Sequence, residues 1–226
     1  NGSKKSAFWR PQDGEQVIRI VPTADGDPFK EYWFHYNLGN NPGFLSPKKN
    51  FGEDCPLDSY VRDLYRQGDE ESIKMAKNLS ARQRFFSPVV VRGEEDQGVR
   101  IWGFGKMAYQ ELLNLVLNPD YGDITDTEEG TDLVIKYGKP PGAQFPQTSI
   151  TPRRKTTKLF DEDEKVTAAL TQIPDFDSVF EKKSATEVQS MLDDFIASQL
   201  GDDDEVESAS TESQKYGGDS IDSKFD

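Results

Sequence analysis

The stretch Arg84–Lys106, RFFSPVVVRGEEDQGVRIWGFGK, constrains the fold more than any other part of the chain. Two apolar runs rich in β-branched and aromatic residues flank the polar tip GEEDQG, which predicts a β-hairpin. Phe85 and Phe86 are adjacent on the first strand, so one of the two must point into a core. In the second strand, alternation sets Val99, Ile101 and Gly103 on one face and Arg100, Trp102 and Phe104 on the other. The first face reads as core. The second puts a cation beside two large rings and reads as an outward face with a task.

The remaining elements can be placed around this hairpin. GEQVIRIVP (Gly14–Pro22) predicts a strand closed by proline, and EYWFHYNLG (Glu31–Gly39) a second, aromatic one. A Gly-, Pro- and Asn-dense loop follows, then a helical stretch from Asp58 to about Lys77, broken near Gly68. Lys106–Leu117 predicts a helix with Tyr109, Leu112, Leu113, Val116 and Leu117 along one face, ended by Asn118-Pro119. An acidic loop leads to the strand TDLVIKYG, and the loop KPPGAQFPQ to a last strand, TSITPRRKTTKLF. Short helices are expected after Phe160. The final one is marked by a capping box, Ser184 with Glu187, and by Gly201 as its stop.

This order predicts a mainly β protein with helical insertions. An OB-fold, a partly open five-stranded Greek-key barrel, satisfies it. The expected organisation is a core over 1–160, a helical segment over 161–200 and a disordered acidic tail over 201–226. Charge supports the division. Residues 1–160 hold 22 Lys+Arg and 22 Asp+Glu, whereas 161–226 hold 5 against 19, so the whole net charge of −14 lies in the last part. An acidic total therefore says nothing against an anionic ligand for the core. The tail, Ser-rich with little to bury, is too polar to fold alone.

Several function classes are disfavoured. No apolar run approaches the ~20 residues that cross a membrane. One Cys and one His allow no internal disulfide, and the acidic surroundings of Cys55 oppose a reactive thiolate. Phosphate-cradling glycine loops, serine elbows and HExxH are absent, so no catalysis is expected. What stands out is a set that interleaves cations with rings: Tyr65, Lys77, Arg82, Arg84, Phe85, Phe86, Arg92, Arg100, Trp102, Lys106 and Phe145. Single-strand grooves need both, cations for phosphates and ring faces on which bases stack. TPRRKTTK (Thr151–Lys158), four cations without an acid, is either a charged edge strand or a phosphate-contacting rim, with Arg153, Arg154 and Lys155 at its centre.

These residues resemble the single-stranded DNA-binding, helix-destabilising proteins of T4-like bacteriophages. GEQVIRIVP resembles that family's opening strand, whose arginine corresponds to Arg19. FHYN…EDCPLDSYVRDLY resembles its zinc-binding stretch and following helix, Arg84–Lys106 its central hairpin, and IKYGKPPGAQF the strand and aromatic-bearing loop after it. The similarity covers roughly Phe8–Ile150 in four ordered blocks. It implies an OB fold whose cleft holds single-stranded DNA, and by position it carries over Arg19, Tyr65, Phe86, Trp102, Lys106 and Phe145. With Arg82, Arg84, Arg100 and Arg153–Lys155, these make the expected DNA-binding set. It also implies that the acidic C-terminus recruits phage replication and recombination proteins and competes for the cleft. The expected setting is the cytoplasm of an infected bacterial host.

Two departures bear on these implications. The resemblance implies zinc held by one His and three Cys. Here His35 and Cys55 fall at two of those places, Asp58 stands at a third, and near Ser46 the remaining Cys is missing. One thiolate with one imidazole makes a poor structural zinc site, so no cofactor is expected, with the loop held by packing of His35 between aromatics. Lys4 and Lys5 are a thin counterpart to the family's basic N-terminal arm. The expected function is coating and protection of single-stranded DNA in replication, recombination and repair. The alternatives are an acidic-tailed β-barrel adaptor that binds proteins, and a single-stranded RNA binder.

Overall fold

Eight strands and seven α-helices form over residues 7–201, the residues that this computed structural model describes. In chain order they are β1 (Phe8–Trp9), β2 (Gly14–Ile20), β3 (Lys30–His35), β4 (Phe44–Leu45), α1 (Pro47–Phe51), α2 (Pro56–Gln67), α3 (Glu70–Leu79), β5 (Arg82–Val91), β6 (Arg100–Phe104), α4 (Lys106–Leu117), β7 (Gly130–Gly138), β8 (Gln147–Thr157), α5 (Asp163–Thr171), α6 (Phe176–Val179) and α7 (Ala185–Gly201). They build two compact units, one from residues 7–31 and 84–176, the other from 32–83 and 177–201. Within 161–200, α5 belongs to the first unit and α7 to the second. Among the described residues no helix is long and apolar enough to cross a membrane. Lys4, Lys5 and the acidic tail from residue 202 lie outside the described residues.

In the first unit the strands run in the order β1-β6-β5-β2-β7-β8. β1 is parallel to β6 and all other neighbours on this path are antiparallel. The architecture is mainly sheet with helices, as expected, but the sheet is mixed and this path has six strands rather than five. The expected hairpin forms, with Phe85 opposite Phe104 and Ser87 opposite Trp102.

The face assignment of β6 is corrected. Trp102 and Phe104 point into the main core, together with Trp9, Ile18, Ile20, Phe29, Phe85, Leu112 and Ile135. The reason is that β5 and β6 lie inside the sheet and both of their faces are covered. Val90 packs on the reverse side with Val21, Leu159 and Ala169 of α5, and Val99 joins them. Alternation alone cannot say which face of a strand meets water when neither does. Pro88 fits this inner strand because it stands at the end of the β2–β5 ladder. The Val21 N–H donates to the Pro88 carbonyl at 2.9 Å, and the reciprocal bond, which proline cannot make, would fall at Val21, just past the end of β2 at Ile20.

The β7–β8 ladder is irregular at one point, and that irregularity shapes the surface. Thr131 pairs with Thr156 and Leu133 with Pro152, so Asp132 alone faces Arg153, Arg154 and Lys155. Three residues against one form a bulge, which breaks the in–out alternation. All three cations are exposed in consequence.

The second unit pairs β3 with β4 and packs α2, α3 and α7 around Leu57, Val61, Leu64, Ala76, Leu79, Val188 and Leu192. The expected capping box starts α7. Ser184 donates its N–H and its hydroxyl to Glu187 Oε2, each at 2.7 Å.

Candidate nucleic-acid interface

Arg19 is the first residue whose placement changes the picture. Its neighbours Ile18 and Ile20 enter the core, so Arg19 points to the opposite side of β2, where it is fully buried. Its Nε donates to Asp132 Oδ1 at 3.0 Å, and its two Nη groups donate to the carbonyls of Asp126 (3.2 Å), Gly130 (3.0 Å) and Thr157 (2.8 Å). Arg92 shares the Asp132 carboxylate from the other side, at 3.1 Å from Nε and 3.0 Å from Nη2. The approach is so close that a Cβ on Gly130 would lie 2.6 Å from Arg19 Nη1 and 2.3 Å from the Asp126 carbonyl. Arg19 therefore ties the acidic loop to the sheet and is not a surface cation. Arg92, one of the cations interleaved with rings in the sequence, belongs to the same tie.

Three further members of the expected set lie within the fold. Trp102 is 1% exposed, meeting Trp9 edge-on at 5.9 Å and Phe104 at 4.5 Å between ring centroids. Phe86 and Arg84 are buried. Arg100 is only partly exposed, and its Nη2 donates to Glu94 Oε2 at 2.6 Å, so its charge is already matched. None of these four is an open platform.

The exposed members collect elsewhere in the first unit. A cavity of about 230 Å³ is lined by Pro11, Trp102, Phe104, Tyr137, Phe145 and Pro146. It adjoins an open groove of about 900 Å³ lined by Lys106, Met107, Lys136, Tyr137, Lys139 and Pro146. Phe145 is 67% exposed and Met107 80%. Lys106 and Lys139 have no ion-pair partner among the described residues, and Lys136 meets Glu15 only at 3.9 Å in the open. Glu111, the one acid on the groove wall, accepts the Ile150 N–H at 3.1 Å.

The groove also receives the start of α4. Gly105 caps that helix without a side-chain hydrogen bond, and its first turn holds no acid, so its leading N–H groups and the positive end of its dipole remain available to an anion. Arg153, Arg154 and Lys155 stand exposed on the bulge of β8, the strand that supplies Gln147–Ser149 to the same groove. Sequence reasoning took Lys106 and Phe145 from this place but missed Lys136, Tyr137 and Lys139. Their signal was present in IKYGK, a ring between cations at the end of the next strand after the hairpin.

The other expected residues lie in the second unit. Tyr65 is exposed on α2, and the Arg82 guanidinium sits over the Tyr36 ring at 6.0 Å. This unit also gathers all four positions at which the resemblance would place zinc ligands. His35 Nε2 is 3.3 Å from Asp58 Oδ2 and 3.7 Å from Cys55 Sγ, and the three donor atoms lie within 4.8 Å of one another. The Ser46 hydroxyl donates to Asp58 Oδ2 at 3.0 Å. Packing of His35 between aromatics describes only part of its surroundings: Phe44 is tilted against the ring at 5.6 Å, and Asp58, Cys55 and the Leu79 carbonyl are its polar neighbours.

The donor set does not fit a structural zinc site, which takes four ligands drawn mainly from thiolates and imidazoles. Here there is a single thiol and a single imidazole, and the hydroxyl is engaged with the carboxylate. Burial alone would depress the His35 pKa. The hydrogen bonds to Asp58 and Cys55 and the Asp58 charge outweigh it and hold it at about 9. Burial likewise pushes Asp58 up, and His35 and Ser46 together bring it below the ordinary carboxylate value.

The family described as gp32 DNA binding protein like matches the chain over residues 12–197. No curated protein matches it.

Proposed function

The chain belongs to the gp32-like family of DNA-binding proteins, and from that premise we propose that it binds single-stranded DNA. In this reading the first unit is an OB-type module without catalytic activity. It coats and protects strands exposed in phage replication, recombination and repair, in the cytoplasm of an infected bacterium. The acidic residues after α7 recruit the replication and recombination proteins that follow.

The observation that carries the reading is the groove beside α4. Unpaired lysines (Lys106 and Lys139), the start of α4 and Tyr137 line this groove, and the exposed Phe145 lines the cavity that adjoins it. Cations supply phosphate contacts at any sequence, and a ring offers a face to any base. A duplex hides its bases from such a ring, which favours the single strand. Arg153, Arg154 and Lys155 extend the cationic surface along β8.

Anisotropy of a labelled oligo-dT, with duplex DNA and oligo-U as competitors, tests this. Binding should weaken steeply with salt, and duplex should compete poorly. Phe145→Ala should lose about 5- to 150-fold in affinity, the equivalent of one stacked base at ~1–3 kcal/mol. Its Tm should be unchanged, because so exposed a ring contributes little packing. Equal competition by duplex, or salt-independent binding, would overturn the single-strand reading. Preferential binding of oligo-U would move it to RNA.

A further inference from the structure

We infer that His35, Asp58, Ser46 and Cys55 form a metal-independent polar cross-link in the second unit, an imidazolium–carboxylate pair oriented by a serine hydroxyl, at the place where the resemblance puts zinc. Hydrogen-bonding roles lead to this. His35 Nδ1 lies 3.0 Å from the Leu79 carbonyl, which can only accept, so Nδ1 carries a proton. Nε2 lies 3.3 Å from the Asp58 carboxylate, which also accepts when ionised, so Nε2 carries one as well. A ring that donates from both nitrogens is an imidazolium. A metal-bound histidine cannot adopt that state, because the coordinating nitrogen must be unprotonated.

The carboxylate is held for this task. Ser46 Oγ accepts the Lys49 N–H at 3.1 Å as the cap of α1, which leaves its own hydrogen to be directed at Asp58. Asp58 lies in the first turn of α2, where the helix dipole favours a negative charge. Cys55, the residue before that helix, is buried and brings its sulfur within 3.7 Å of Nε2. The cluster joins β3 through His35, α1 through Ser46, α2 through Asp58 and α3 through Leu79. These are four elements that a metal centre would otherwise have to hold.

The full chain, produced in zinc-supplemented medium, should contain far less than one zinc per molecule. Its Tm should be the same with and without EDTA. Asp58→Asn keeps the shape and removes the charge, and should lower Tm by about 6 °C or more, as expected when one partner of a buried pair is removed. The double substitution Ser46→Cys with Asp58→Cys offers one imidazole and three thiols, so it should take up one zinc and become sensitive to EDTA. Stoichiometric zinc in the unsubstituted protein, a Tm that falls on chelation, or an Asp58→Asn variant as stable as its parent would each overturn the inference. If the double variant does not fold, the chelation result and Asp58→Asn decide it. Neither measurement involves DNA, so the outcome is independent of the proposed function.

Discussion

Replacing Arg153, Arg154 and Lys155 together by alanine isolates the contribution of the β8 bulge to binding. The three side chains are exposed and have no ion-pair partner among the described residues, so their removal leaves the folded state without an orphaned charge. Each phosphate neutralised on a single strand contributes about 0.7 to the slope of log K against log salt. Three contacts therefore make a slope difference of about 2, and over a fourfold rise in salt the parent should lose roughly 18-fold more affinity than the variant. The assay is anisotropy of labelled oligo-dT at four or five salt concentrations between 50 and 200 mM, a range of roughly the width used for such slopes. Lines that converge at high salt are expected, with the same Tm for both proteins. Parallel lines would refute the reasoning: the bulge would then be a charged edge without a phosphate partner, and the cationic footprint would lie wholly at the groove.

Two predictions concern stability. Asp132→Asn leaves Arg19 buried beside an uncharged partner and should cost about 3–5 kcal/mol in urea unfolding, since breaking a buried pair strands the remaining charge; a loss below about 1 kcal/mol would show that the surrounding carbonyls hold Arg19 unaided. His35, with a folded pKa of about 9 against an ordinary 6.5, contributes stability that is complete below pH 6.5 and lost as pH rises through 9. Tm followed from pH 6 to 10 should fall across that window, by at most about 1.4 kcal/mol of stability per pH unit, and a flat profile would count against the charged ring.

What the sequence made legible was local. The Arg84–Lys106 hairpin and the capping box at Ser184 depend on alternation and on residues three apart, and both are printed in the chain. What it hid was set by partners far away. Arg19 looks like any strand arginine until Asp132 and Thr157, more than a hundred residues on, enclose it. Trp102 looked outward because one strand cannot show that a second layer, with Ala169 and Leu159, covers the reverse of its sheet. Tyr137 and Lys139 were visible in a stretch already singled out, but nothing local said that they share a wall with Lys106. At the zinc-like positions, counting ligands was possible from the sequence. The contacts that join His35, Asp58, Ser46 and Cys55 needed coordinates.

The loop between β7 and β8 carries a further consequence. It holds Phe145 between the paired ends Gly138 and Gln147, contains Pro140, Pro141 and Pro146, and is folded on itself by the Ala143 N–H to Pro140 carbonyl bond at 3.0 Å. A ring on a free loop would have to give up much of its conformational freedom each time a base arrived. Here the prolines and the ladder have removed most of that freedom before any ligand is met. Stacking energy at Phe145 should therefore appear in affinity almost undiminished, and relaxing the loop with glycines would weaken binding without touching a single contact.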